Sequence, residues 1–165
     1  MPAWNKRILV IDDDPGILRA MEKVLAGEGA IVRTARGIPQ ASAVLVSNDW
    51  SPDLLITDLE MPVRVRITLQ TLRMACPNAP LIVITALSGP EIRSECLAAG
   101  AAAFLEKPVD TAQLMAAIAT ALNQGQENIN GANAYRPATQ ASPATHDTFN
   151  QNSVNSANPI PNQCK

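Results

Sequence analysis

Along the first 122 residues, apolar positions fall into two alternating patterns. Short runs rich in β-branched and other apolar residues occupy 8–11, 31–34, 54–57, 81–85 and 103–106. Several are apolar on both faces, the pattern of strands covered by helices on either side. Between them lie stretches with helical period. Ile17, Leu18, Met21, Val24 and Leu25 recur at i, i+1, i+4, i+7 and i+8 and form one stripe. Pro15 suits the first turn of that helix, and Gly27 or Gly29 its end. The last helix is expected to start at Asp110, with Gln113 placed for a capping box. Its stripe is Leu114, Met115, Ala117, Ile118, Ala121 and Leu122. Residues 91–99, closed by Gly100, predict another helix, and 41–47 and 67–75 two weaker ones.

Strands alternating with helices imply right-handed βαβ crossovers and a parallel sheet. The expected class is α/β, a doubly wound five-stranded sheet within residues 1–122. The pattern then stops. Residues 123–165 are rich in Asn, Gln, Ala and Pro and carry only Glu127, Arg136, Asp147 and Lys165 as charges. Isolated Ile129, Val154 and Ile160 show no period, so too little apolar area is available to offset conformational entropy. This segment is expected to be a disordered tail or a flexible docking segment, and nothing in it resembles a DNA-binding or enzymatic output domain.

Charge and composition narrow the function. The chain has 13 Lys+Arg against 15 Asp+Glu, a formal net charge of −2, which argues against nucleic-acid or anionic-membrane partners. No apolar run approaches the roughly 18 residues of a spanning helix. After Lys6 and Arg7, the short run 8–11 is too brief for a signal-peptide core. Cys76, Cys96 and Cys164 fit neither a disulfide framework nor a zinc site, so the expected location is a reducing cytoplasm. The single histidine, His146, excludes most histidine-based metal sites and triads within the patterned part.

The ends of the predicted strands carry the chemistry, because open parallel sheets bind ligands at their carboxyl edge. Strand one ends in Asp12-Asp13-Asp14, strand three in Asp58, strand four in Thr85, and strand five is followed by Lys107-Pro108. Several carboxylates in one small cleft repel each other and partly protonate unless a cation joins them. A hard divalent ion held by carboxylates and water suits Mg²⁺. Asp58 is the best-placed nucleophile, and Lys107 with the Thr85 hydroxyl can take the other oxygens of a transferring phosphoryl group. Asp14, next to Pro15, reads as a helix N-cap rather than a ligand.

The runs ILVIDDDP (8–15), PDLLITDLEMP (52–62), LIVITA (81–86) and AGAAAFLEKP (99–108) together resemble a bacterial two-component response-regulator receiver domain of the chemotaxis-regulator type. The resemblance covers residues 6 to about 122 and implies a flavodoxin-like (βα)5 fold with strand order 2-1-3-4-5. It implies that Asp58 is the phosphoacceptor, charged by a phosphohistidine on a sensor histidine kinase or histidine phosphotransfer protein. Asp12 and Asp13 match the acidic pair that holds Mg²⁺, completed by Asp58 and the main-chain carbonyl of Glu60. Thr85 matches the switch hydroxyl, Phe104 the aromatic switch position that moves inward with it, and Lys107 the phosphate-binding lysine. The Lys107–Pro108 bond matches the family's cis peptide. The implied output is a downstream protein docked on the helix 4/strand 5/helix 5 face. Beyond self-phosphorylation from a donor and slow self-dephosphorylation, the domain is not expected to be an enzyme.

Several positions depart from this pattern or read two ways. The family's glycine-containing turn after the phosphoacceptor is replaced by Val63-Arg64-Val65-Arg66, which puts that turn's conformation in question. Arg64 and Arg66 can face the same way on an extended segment, either toward an acidic partner or simply into solvent. Glu60 is either a solvated loop acid or a side chain aimed at the phosphoryl site that alters the acyl phosphate's lifetime. Phe104 lacks the phenolic hydroxyl of tyrosine and is either a switch or an ordinary core residue. His146, in the expected tail, is not placed as a relay histidine, so the phosphodonor must be another molecule. Two rival readings remain: a receiver-like scaffold that never phosphorylates, and a Mg²⁺-dependent phosphohydrolase using Asp12-x-Asp14. The second lacks the Thr or Val such enzymes want after the second acid, since Pro15-Gly16 follows.

Overall fold

The computed structural model describes residues 5–47, 49–59 and 65–132. Five strands and five helices alternate: β1 (Arg7–Ile11), α1 (Pro15–Gly27), β2 (Ile31–Ala35), α2 (Ile38–Val46), β3 (Leu54–Asp58), α3 (Val65–Ala75), β4 (Leu81–Thr85), α4 (Pro90–Ala98), β5 (Ala103–Glu106) and α5 (Thr111–Ala132). The sheet runs β2-β1-β3-β4-β5 with every pair parallel. This is the expected doubly wound α/β architecture, with the reversal in strand order beside β1.

Because neighbouring side chains on a strand point to opposite faces, each strand feeds two cores. Ile8, Val10, Leu54, Ile56, Ile82 and Ile84 pack against Leu18 and Leu25 of α1 and Leu114, Ile118 and Ala121 of α5. Leu9, Ile11, Leu55, Leu81, Val83 and Phe104 pack on the other face against Ala41 of α2, Leu69 and Leu72 of α3, and Cys96 of α4. Every residue of β3 and β4 is buried, which explains why those runs are apolar without alternation. At about 1.5–3 kcal/mol for each fully buried aliphatic side chain, these central strands are the main hydrophobic contribution of the fold.

Local signals set the helix ends. Asp14 Oδ1 accepts hydrogen bonds from the N–H groups of Gly16 (2.6 Å) and Ile17 (3.4 Å), capping α1 as its position beside Pro15 predicts. At the other end Gly29, not Gly27, takes the left-handed conformation (φ 84°). Its N–H reaches Ala26 O, and Ala30 N–H reaches Leu25 O, a Schellman closure. Gly100 (φ 93°) closes α4 in the same way through Leu97 and Cys96. Asp110 Oδ1 accepts from Gln113 N–H at 2.7 Å and caps α5. Helix α2 begins at Ile38, earlier than the period over 41–47 suggests, because Pro39 fits its first turn.

Helix α5 continues through Ala132, past the compositional boundary at residue 122. Packing of its first turns against the sheet supplies the nucleus from which the helical backbone continues. Residues 133–165, the rest of the segment expected to be disordered, lie outside the described residues, as do His146 and Cys164. Among the described residues, Cys76 and Cys96 are free thiols whose pKa is pushed up by burial. No described helix is long and apolar enough to cross a membrane.

Candidate functional site

The carboxyl ends of β1, β3, β4 and β5 bring together the residues that the sequence spreads over 95 positions. Asp58 is the last residue of β3, paired in register with Ile84 of β4. Asp12 follows β1 directly, and its N–H donates to Ala35 O at 3.1 Å, prolonging the β1–β2 ladder by one step. Carboxylate oxygens of Asp12, Asp13 and Asp58 all lie within 4.8 Å of one another. Asp12 is 4% exposed and Asp58 3%, whereas Asp13 stands open to solvent.

Lys107 answers this negative charge from the far side. Its Nζ donates to Asp58 Oδ2 at 2.7 Å and to Asp12 Oδ2 at 3.5 Å. The lysine is held by its own main chain, since Lys107 N–H donates to Thr85 O at 2.8 Å across the β4–β5 edge. The following Lys107–Pro108 peptide is cis, as expected. Asp12 Oδ1 accepts from the Asp14 N–H at 2.8 Å. Even so, burial holds the Asp12 carboxyl above the ordinary value of 3.8, against the lowering pull of that N–H and of Lys107, with Asp58 adding repulsion. Among the described residues, three carboxylates against one ammonium leave a net deficit of positive charge in a largely buried cleft. Two buried oxygen donors and one at the mouth suit a hard divalent cation, so the donor set fits Mg²⁺.

Thr85 is fully buried at the tip of β4, and its Oγ1 accepts the Leu87 N–H at 3.0 Å, turned toward the loop that leads to α4. Phe104, on β5 beside Val83, is 3% exposed and packs under α4, with Arg93 Cζ 5.6 Å from the ring centroid. The aromatic expected to swing inward with Thr85 therefore already stands inward while the Thr85 hydroxyl is engaged with the loop. Glu60, Val63 and Arg64 lie outside the described residues; Arg66 is exposed in the first turn of α3.

One contact at this edge escapes the reading by strand ends, which passed over β2. Arg36, the first residue after β2, donates from Nη2 to the main-chain carbonyl of Asp13 at 3.5 Å. Its N–H is held by Gln40 Oε1 at 2.8 Å. The signal was available in the sequence, because Arg36-Gly37 stands after its strand as Asp12-Asp13 stands after β1.

A five-stranded parallel sheet in this order, with a carboxylate triad and a lysine at its carboxyl edge, defines a receiver-type signalling fold. Residues 8–119 match the response regulator receiver domain family, and the chain belongs to that family. It is 33% identical over 119 residues to the response regulator protein PilR of Pseudomonas aeruginosa, covering 72% of this chain and 26% of that protein. It is 34% identical over 121 residues to the transcriptional regulatory protein PrrA of Mycobacterium leprae, covering 73% of this chain and 51% of PrrA. The chain thus aligns with about a quarter to a half of these two relatives' length. Among solved structures, a response regulator receiver domain protein from Clostridium thermocellum superposes with a TM-score of 0.68 at 29% identity, covering 74% of this chain and 98% of that one. A CheY-like receiver domain protein from Methanospirillum hungatei gives the same TM-score at 27% identity, again covering 74% of this chain and 98% of its own. Membership in this family does not favour the phosphohydrolase reading; receiver domains are signalling domains of two-component systems.

Proposed function

We propose that this receiver domain takes a phosphoryl group on Asp58 from a phosphohistidine of a sensor histidine kinase or histidine phosphotransfer protein. The observation that carries the reading is the Lys107 Nζ contact to Asp58, 2.7 Å, inside a cluster that also holds Asp12 and Asp13. A carboxylate oxygen of Asp58 attacks phosphorus, the P–N bond to the donor imidazole breaks, and an acyl phosphate forms. Lys107 orients Asp58 before transfer and pairs with phosphoryl oxygen after it. Asp12, Asp13 and Asp58 would hold Mg²⁺; Glu60, whose main-chain carbonyl the family resemblance adds to that set, lies outside the described residues. When bound, the ion supplies positive charge that offsets the charge of the phosphoryl oxygens.

Signalling follows from Thr85. Its oxygen gives up the Leu87 N–H it accepts and its O–H turns to donate to a phosphoryl oxygen, which redraws the loop before α4. Phe104 already lies inward, so the loop is the part that moves. The α4–β5–α5 face then changes its affinity for a downstream protein, a shift between two populations. The domain works in the cytoplasm, on protein partners rather than nucleic acid or membrane.

Intact mass after incubation with acetyl phosphate and Mg²⁺ tests the reading. One added phosphoryl group is expected; it does not form when a chelator is present from the start, and it is absent in Asp58→Asn. No addition from any donor, acetyl phosphate or phosphohistidine protein, would leave the non-phosphorylating scaffold as the better account.

A further inference from the structure

The strand order places β2 and β5 at opposite edges of the sheet. Lys107 reaches the carboxylates from the β5 side. From the β2 side the Arg36 side chain reaches the Asp13 carbonyl, and the residue is exposed. Its backbone is fastened at two points: Ala35 O accepts the Asp12 N–H, and Gln40 Oε1 accepts the Arg36 N–H. The guanidinium is therefore tethered at the rim beside Asp13, the most open of the three acids. Arginine stays charged at every working pH, and its fork of donors suits phosphate oxygens.

We infer that Arg36 is a second cation of the phosphoryl-accepting cleft, set opposite Lys107. There it attracts the dianionic phosphodonor and weakens the hold of the acids on a divalent ion. This rests on the reading that Asp58 accepts phosphate with Mg²⁺ in the cleft. The effect is electrostatic, and because Arg36 is solvated it is partly screened, on the order of a few-fold in either equilibrium. A purely structural tether predicts the opposite sign for the metal. If Arg36 only braced the β1–α1 loop, its loss would loosen Asp13 and weaken Mg²⁺ binding.

The full chain and its Arg36→Ala, Arg36→Gln and Arg36→Lys variants, each checked by thermal melting, decide the matter in two arms. In calorimetric titration with Mg²⁺ alone, Arg36→Ala and Arg36→Gln bind about threefold more tightly than the parent, and Arg36→Lys matches it. In phosphorylation by acetyl phosphate, the two neutral variants need about threefold more donor for half-maximal rate, a change in half-saturation rather than in saturating rate. Added salt shrinks both differences. Unchanged or weaker Mg²⁺ binding in Arg36→Ala would overturn the inference. A parent chain that binds Mg²⁺ yet takes no phosphoryl group would overturn the Asp58 reading instead, with the titration arm still deciding the charge of Arg36.

Discussion

Each end of β3 carries an aspartate, Asp53 just before it and Asp58 as its last residue, each paired with a cation, and the two pairs do different things. At its amino end Asp53 Oδ2 accepts the Arg7 N–H at 2.7 Å and lies 3.5 Å from Arg7 Nε, with both side chains about a third or more exposed. At its carboxyl end Asp58 meets Lys107 at 2.7 Å with its side chain 2% exposed. The first is a one-to-one pair in water, which ties β3 to β1 and has nothing left to attract. The second sits among surplus acids in low dielectric, so its charge is unbalanced until a further cation arrives. Burial and charge surplus, rather than the presence of an ion pair, separate a fastening from a reactive centre.

The largest expected effect is at the buried end. Asp58→Asn removes the nucleophile and abolishes phosphoryl uptake by intact mass, whereas Asp53→Asn leaves uptake at the parental level. If both variants lost it equally, the contrast between the two ends would fail. Next, Lys107→Met removes the ammonium that touches Asp58 and Asp12. Its rate of phosphorylation by acetyl phosphate should drop by about a hundredfold, in line with loss of one preorganised donor to a developing charge.

A smaller effect concerns stability without metal. Burial raises the Asp12 carboxyl in the folded state, so the folded protein holds that proton to higher pH than the unfolded chain does. Stability from this group is fullest below its ordinary value of 3.8 and is lost as pH rises through the folded-state pKa. Asp12→Asn is therefore expected to stabilise the metal-free domain at neutral pH by on the order of 1 kcal/mol. Its advantage in urea melts should grow as pH is raised from below that value. Addition of Mg²⁺ should favour the parent and narrow the gap. The smallest change belongs to the exposed pair, where Asp53→Asn should cost about 0–1 kcal/mol in the same melts, less at high salt.

Much of this was legible in the chain before any coordinates. Short β-branched runs, several apolar on both faces, and period-3.6 stretches located all five strands and five helices, because both signals depend on local backbone geometry and burial. Asp12, Asp13, Asp58, Thr85 and Lys107 stood out because a parallel sheet carries every strand's carboxyl end to one edge. Pro39 and the residues after Leu122 were read less well. Pro39 gives little hydrophobic signal, and Gln124 to Ala132 are helical by continuation from a packed helix rather than by any apolar stripe. Arg36 was passed over because a basic residue after β2 carries no acid or hydroxyl signal of its own, and only the fold sets it beside Asp13.

Sequence by itself determined the order and kind of the elements, the caps at Asp14 and Asp110, and the acids at the strand ends. These depend on neighbours a few positions away. Tertiary structure alone decided which acid is buried and which is screened, that Lys107 meets Asp58 across 49 residues, and that Phe104 lies inward beneath Arg93. Asp53 and Asp58 look alike in the chain. Only packing sets the dielectric around each and counts the charges within reach, and those two quantities govern what a carboxylate can do.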